Sequence, residues 1–262
     1  MRLPALFLPH GGGPCFFMDD PAGDWTGMEG FLRSLPARLP EAPRAILIVS
    51  GHWETRGGFA LTGNARPPLL FDYYGFPPHT YQLRYEAPGD PELAARIAEQ
   101  LSAAGFPAAL DTQRGFDHGV FVPLKVIYPQ ADIPMIELSL EHGLDPALHL
   151  ALGAALAPLR DQGVLLMGTG MSFHNQRAYR DPRATAPSAA FDDWLTASCG
   201  LPGPGRAARL EAWADAPAAR ICHPRPEHLL SLFVAAGSSE APGQRIYSEK
   251  VLETMISGFA FD

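Results

Sequence analysis

Four short, mainly apolar runs, each closed by proline, glycine or polar residues, punctuate this chain. They are Ala5–Leu8, Ala45–Ser50, Ile133–Ser139 and Val164–Gly168. Mainly apolar as they are, they predict buried interior strands of a parallel or mixed sheet. Pro134 lies within the third run, where it would remove a ladder donor. Between the runs the apolar spacing changes to that of helices. At Asp90-Pro91 a capping residue precedes a helix-first proline, and Leu93, Ile97 and Leu101 then recur every fourth residue until Gly105. Asp145-Pro146 repeats the device and predicts a helix to about Arg160, and Asp192–Ser198 reads as part of another. Strands alternating with helices predict an α/β fold, a layered domain with a central mostly parallel or mixed sheet flanked by helices. No repeat or low-complexity linker divides the chain. The stretch Gly200–Arg206 reads as a surface loop, so residues 1–262 are expected to form one domain.

Composition narrows the partners. Hydrophobic residues make up 47% of the chain, enough for a large core, and charged residues only 18%. A formal net charge of −8, with no basic run, argues against nucleic acid, because nothing would neutralise its phosphates. Cys15, Cys199 and Cys222 form no CxxC and cannot all pair, so a reducing, cytoplasmic setting is expected. The start of the chain, broken by Pro4, Pro9 and a glycine run, does not read as a signal peptide. The apolar stretch Ala147–Leu159 contains His149 and is too short to span a membrane, so no membrane partner is expected.

The chemistry is carried by histidines. His10 ends the first strand run, His52 comes just after the second, and His174 follows the turn after Val164–Gly168. Ligands of α/β sheets bind at the carboxyl ends of strands, so three separate strands each deliver an imidazole to the same kind of place. His118 lies in Gly115-Phe116-Asp117-His118-Gly119, read as a turn with an acid beside it. His228 lies in Pro226-Glu227-His228, where the proline starts a helix. Imidazole is the commonest metal ligand and the side chain best able to move protons near neutral pH. The plainer reading, a hydrogen-bonded loop or core histidine, is assigned to His79, His142, His149 and His223. Cys15 could act as a nucleophile near His10, but a structural thiol is the expectation. Tyr73, Tyr74, Phe76 and Trp53 could line an aromatic pocket, with core packing the expected role for most. No G-x-S-x-G elbow, P-loop or H-E-x-x-H helix is present.

These segments, in this order, resemble a known family over almost the whole chain. They run from Pro4-Ala5-Leu6-Phe7-Leu8-Pro9-His10-Gly11 through Gly51-His52-Trp53, Gly75-Phe76-Pro77, Tyr85-Glu86-Ala87-Pro88-Gly89 and Gly115-Phe116-Asp117-His118-Gly119. They continue through Ile133-Pro134-Met135 and His174-Asn175 to Pro226-Glu227-His228. The sequence resembles the DOPA-dioxygenase-type class III extradiol ring-cleaving dioxygenases, relatives of the protocatechuate 4,5-dioxygenase catalytic subunit. The resemblance implies that His10, His52 and His228 hold one divalent metal. It implies that His174 is the acid/base histidine, close enough to touch the metal as well, and that His118 assists substrate or oxygen binding. Glu227 adjoins His228 and remains an alternative third ligand. The first loop departs from the family's common His-Gly-Ser-Pro: here His10-Gly11-Gly12-Gly13-Pro14 is one residue longer.

The expected reaction is metal-dependent extradiol cleavage of a catechol with dioxygen. Fe(II) is expected for turnover and Zn(II) is the other candidate ion, because a redox-active centre with open positions suits this chemistry. The partners are a small aromatic diol and dioxygen, with room left for a homo-oligomer. Two other readings use the same residues: a zinc-dependent hydrolase with a metal-bound water as nucleophile, and a non-enzymatic relative of the fold.

Overall fold

In a computed structural model describing residues 1–262, the four apolar runs form the middle of one sheet. Its strands are β1 (Ala5–Pro9), β2 (Ala45–Thr55), β3 (Phe59–Thr62), β4 (Ala108–Asp111), β5 (Met135–Glu141), β6 (Val164–Gly170), β7 (Gln244–Val251) and β8 (Thr254–Phe261). They lie in the order β4-β3-β5-β2-β6-β1-β8-β7. The central four, β5, β2, β6 and β1, are parallel. Antiparallel joints with β3 and β8, and between β8 and β7, make the whole sheet mixed. The helices are α1 (Thr26–Ser34), α2 (Pro91–Ala103), α3 (His118–Ile127), α4 (Pro146–Leu156), α5 (Thr185–Cys199), α6 (Gly203–Glu211), α7 (Ala219–Cys222) and α8 (Glu227–Gly237). None is long and apolar enough to cross a membrane.

β1 and β6 are buried at every residue, so both faces of the sheet centre need cover. The largely buried α8 packs on β6, β2 and β1. Close approach is possible because β6 ends in glycine. A Cβ on Gly170 would stand 2.0 Å from the His228 carbonyl oxygen. With no side chain there, Met171 N–H donates to that carbonyl over 3.1 Å, which ties the start of α8 to the end of β6.

Several boundaries shift, each for a physical reason. The second run continues past Ser50 to Thr55, through a register break between Val49 and Glu54, so His52 lies within the strand rather than after it. β5 starts at Met135, so Pro134 contributes only its carbonyl, which accepts from Ile46 N–H over 2.9 Å, and β6 runs on to Gly170. The helix after Pro146 ends at Leu156, and the chain continues as a tighter 3-10 turn to Gln162. Gly200–Arg206 is not a surface loop throughout. α6 begins at Gly203, and the buried Arg206 guanidinium donates to the carbonyls of Leu201, Ala236 and Ala241. The β7–β8 hairpin gave no sequence signal, because its turn uses Leu252 and Glu253 at φ 49° and 67° instead of Asn-Gly.

Arg160 shows how the ends of the chain are held. It is fully buried and donates from Nε to Leu3 O, from Nη1 to Ser238 O and from Nη2 to Phe261 O, each at 2.8 Å. Burial lowers its pKa to about 10, and the group remains a cation at neutral pH. Arg160→Met keeps the volume but strands three buried carbonyls. It is expected to cost about 3 kcal/mol, read as a lower urea midpoint at unchanged m-value.

Candidate metal centre

β2, β6 and β1 are neighbours, and their carboxyl ends open into one cavity of about 580 Å³. His10, His52, His118, His174 and His228 all line it, with Asp72, Tyr73, Tyr74 and Phe76 on its wall. His10 follows β1, and its N–H donates to Gly170 O over 3.1 Å. The loop after it turns at Gly11, φ +78°, where a Cβ would stand 2.4 Å from the Cys15 sulfur. Cys15 is buried under the loop, and burial pushes its thiol well up, as expected of a structural thiol. His118 is the first residue of α3, not part of a free turn. Asp117, before it, accepts from Ser50 Oγ and from Arg114 Nη2, both at 2.8 Å. His174 is pinned through its backbone N–H to Cys222 O over 3.0 Å.

Three imidazoles converge through the same atom. His52 Nε2 lies 3.3 Å from His10 Nε2 and 3.1 Å from His228 Nε2. On the opposite edge each ring meets an acceptor. His10 Nδ1–H donates to Gly11 O over 2.9 Å and His228 Nδ1–H to Glu227 Oε1 over 3.0 Å, while His52 Nδ1 faces Asp72 Oδ2 at 3.6 Å. With the proton held at Nδ1 in His10 and His228, and drawn to the Asp72 side in His52, three Nε2 lone pairs are aimed at one another. That arrangement is repulsive alone and favourable around a cation, and carbonyl or carboxylate backing is the usual outer support of ligating histidine. The donor set therefore fits one divalent first-row metal. Glu227 stands behind His228, on the Nδ1 side, away from this convergence.

The other two histidines flank the trio. The His174 ring stacks on His228 with centroids 3.4 Å apart and 16° between planes, and its Nδ1 is 3.4 Å from Glu227 Oε1. The His118 ring lies 4.0 Å from that of His52, and its Nδ1–H donates to Asp72 Oδ1 over 2.7 Å. Burial drives the pKa of His10 and His228 well down, and that of His52 to about 4, with the neighbouring histidines adding to the shift. Burial alone would raise the Asp72 carboxyl, but the hydrogen bond from His118 holds it at about 2. Glu227 is held down in the same way by His174, against its own burial.

The remaining histidines lie outside the cavity lining. His149 Nδ1–H donates to Asp145 O over 2.7 Å and its Nε2 accepts from Glu141 N–H, joining α4 to the end of β5. His223 Nε2–H donates to Ser172 O over 2.9 Å. His79 Nε2–H donates to Phe17 O over 3.0 Å. His142 directly follows β5 and pairs with Glu54, 2.9 Å away. Of the four aromatic residues considered from the sequence, Tyr73, Tyr74 and Phe76 line the cavity. Trp53 lies instead under the Arg114 guanidinium, 4.6 Å from its centre. Asp72 also lines the cavity, and its one signal in the sequence is an acid set in the aromatic run Phe71-Asp72-Tyr73-Tyr74.

Buried neutral histidines make the metal-free protein acid-sensitive. His10, His52, His223 and His228 have folded pKa values below the ordinary 6.5, two of them near 4. As pH falls below 6.5 the unfolded chain takes up protons that the folded one refuses, so stability is lost between about 6.5 and 4. Glu137, whose carboxyl is pushed well above 4.5 by burial and Asp117, and Asp192, raised by burial, work in the opposite sense but are two groups against five, because burial lowers His149 as well. Each unopposed histidine contributes a slope of up to about 1.4 kcal/mol per pH unit. Urea midpoints of metal-free protein are expected to fall steeply from pH 6.5 to 4.5.

Residues 4–259 match the family described as the catalytic LigB subunit of aromatic ring-opening dioxygenase. The chain is 38% identical over 237 residues to a 4,5-DOPA dioxygenase extradiol of Beta vulgaris, covering 89% of this chain and 86% of the relative. It is 37% identical over 243 residues to the Escherichia coli (strain K12) protein of that name, covering 90% and 85%. A crystal structure of an uncharacterized protein from Escherichia coli K12 superposes with a TM-score of 0.80 at 30% identity, covering 100% of both chains.

Proposed function

The chain belongs to the LigB family of aromatic ring-opening dioxygenases, and from that premise we propose that it opens a catechol ring at one divalent metal, Fe(II), held by His10, His52 and His228. It is an extradiol dioxygenase, with an aromatic substrate and dioxygen as its reactants. The observation that supports the ligand set is the meeting of three Nε2 atoms whose rings are each backed by an acceptor at Nδ1. A divalent metal held by these residues would supply the redox capacity that the reaction of a diol with dioxygen needs, which is the reason for choosing Fe(II). Residues 1–262 act as one catalytic domain, and three buried free cysteines suit a reducing, cytoplasmic compartment.

The protein's own groups bind and move the substrate's protons. His174 takes the second hydroxyl proton at Nε2, because its Nδ1 faces the Glu227 carboxylate. His118 presents its Nε2 to the ring oxygens from the other side of the cavity. Tyr73 and Phe76 enclose the ring in an apolar wall that excludes water. Anaerobic loading with Fe(II), followed by oxygen-uptake assays on a set of catechols, tests the reading. Oxygen consumption with a yellow ring-opened product is expected. Oxygen-independent turnover with Zn(II) would favour the hydrolase, and failure to bind either metal would favour a non-enzymatic role.

A further inference from the structure

On the cavity wall a single carboxylate bonds to His118, faces His52 and meets the start of a helix. Asp72 Oδ1 accepts from the His118 backbone N–H at 3.0 Å and from the His118 ring Nδ1–H at 2.7 Å, while Oδ2 stands 3.6 Å from His52 Nδ1. The first contact does what a capping side chain does for a helix terminus. Asp117, in the capping position of α3, makes no such bond because its own carboxylate is committed to Ser50 and Arg114. Asp72 supplies the cap from 46 residues away in sequence. It is itself held from both sides. Leu70 N–H donates to Phe116 O at 2.7 Å, and Tyr73 hydroxyl donates to Thr80 O at 2.6 Å.

An ionised carboxylate only accepts hydrogen bonds, so the nitrogen facing it must carry the proton. The two ring nitrogens of neutral imidazole divide the roles of donor and acceptor, which means that fixing Nδ1 as donor fixes Nε2 as acceptor. Asp72 also belongs to the segment that builds the aromatic wall. Tyr73 stands edge-on to the His118 ring at 5.7 Å, and Tyr74 and Phe76 follow along the cavity. We propose that Asp72 is a positioning residue for ring cleavage: it locks His118 with the proton on Nδ1, presents the bare Nε2 to the bound diol, and ties the aromatic wall to the first turn of α3. The inference rests on the reading of His118 as a group that meets the substrate.

Two variants test it in the full chain. In ¹⁵N-labelled metal-free protein, long-range ¹H–¹⁵N spectra of the wild type should show His118 as a single Nδ1–H tautomer. Asp72→Ala is expected to give a mixture of tautomers. Loaded with Fe(II), it should lose about 30–100-fold in kcat on a catechol that supports oxygen uptake in the wild type, with KM changed far less. Asp72→Asn keeps an acceptor oxygen for both His118 bonds, so it should retain the wild-type tautomer and recover most of the lost kcat. An unchanged His118 tautomer in Asp72→Ala overturns the proposal. So does a tautomer lost in Asp72→Asn, which decides the matter even if the alanine variant fails to fold. The spectra stand apart from the assay: a wild type that takes up no oxygen with any catechol sinks the dioxygenase reading, while the tautomer comparison still judges Asp72.

Discussion

His52→Ala is expected to leave a folded protein that no longer retains metal. His52 is the middle member of the converging trio, with its Nε2 within 3.3 Å of both others. Without it two ligands remain, and affinity should fall by more than the roughly 10–100-fold that loss of a mere supporting contact costs. The fold should tolerate the change. The His52 side chain is 18% exposed at the cavity floor, so truncation opens space to solvent instead of hollowing the core. In the metal-free state the variant also removes one of three lone pairs facing one another. Its urea midpoint should then match or exceed that of the metal-free wild type, while the rise in midpoint that metal gives the wild type disappears. Metal analysis after anaerobic loading and gel filtration checks the first point, and unfolding with and without metal checks the second. Stoichiometric metal in His52→Ala would remove it from the ligand set.

How far the chain's pattern discloses this arrangement depends on the range of the interaction. The apolar runs that begin at Ala5, Ala45 and Val164 announce strands because burial on both faces leaves no polar alternation to blur them, whereas β5 carries the buried polar residues Glu137 and Ser139. The histidines near the ends of these runs then mark the end of the sheet where the candidate site lies, by the general rule for α/β folds. Elements whose cause lies elsewhere in the molecule leave no such trace. α6 exists despite Gly203, Pro204 and Gly205 because Arg206 reaches the carbonyls of Ala236 and Ala241. β7 is an outer strand with Arg245, Ser248 and Lys250 exposed, and only its pairing with β8 makes it a strand. The same holds at the site. The candidate ligands were legible as residue types in suitable places, whereas Asp72 acquires meaning only when folding brings it against His118. The Glu227–His228 ambiguity is of this kind too, since adjacent residues in the first turn of a helix point in different directions and only the fold shows which one faces His52.

His174→Ala separates acid/base work from metal binding. The His174 ring lies flat on His228, and its Nδ1 shares the Glu227 carboxylate with that neighbour, so it sits beside the trio as part of one packed unit. If it serves as the base, its removal should leave metal content and catechol KM near wild-type values while kcat falls by about 10²–10⁴-fold. If it is instead a fourth ligand, as its closeness allows, metal is lost with it and the variant behaves like His52→Ala. A third outcome, near-wild-type turnover, removes it from both roles. The acidity of the substrate sharpens the distinction. A catechol carrying an electron-withdrawing group gives up its second proton with little help, so the variant's deficit should shrink as the diol becomes more acidic. A missing ligand would depress every substrate alike. A deficit that narrows with substrate acidity therefore assigns the lost step to proton removal by His174, and a deficit constant across the series assigns it to the metal.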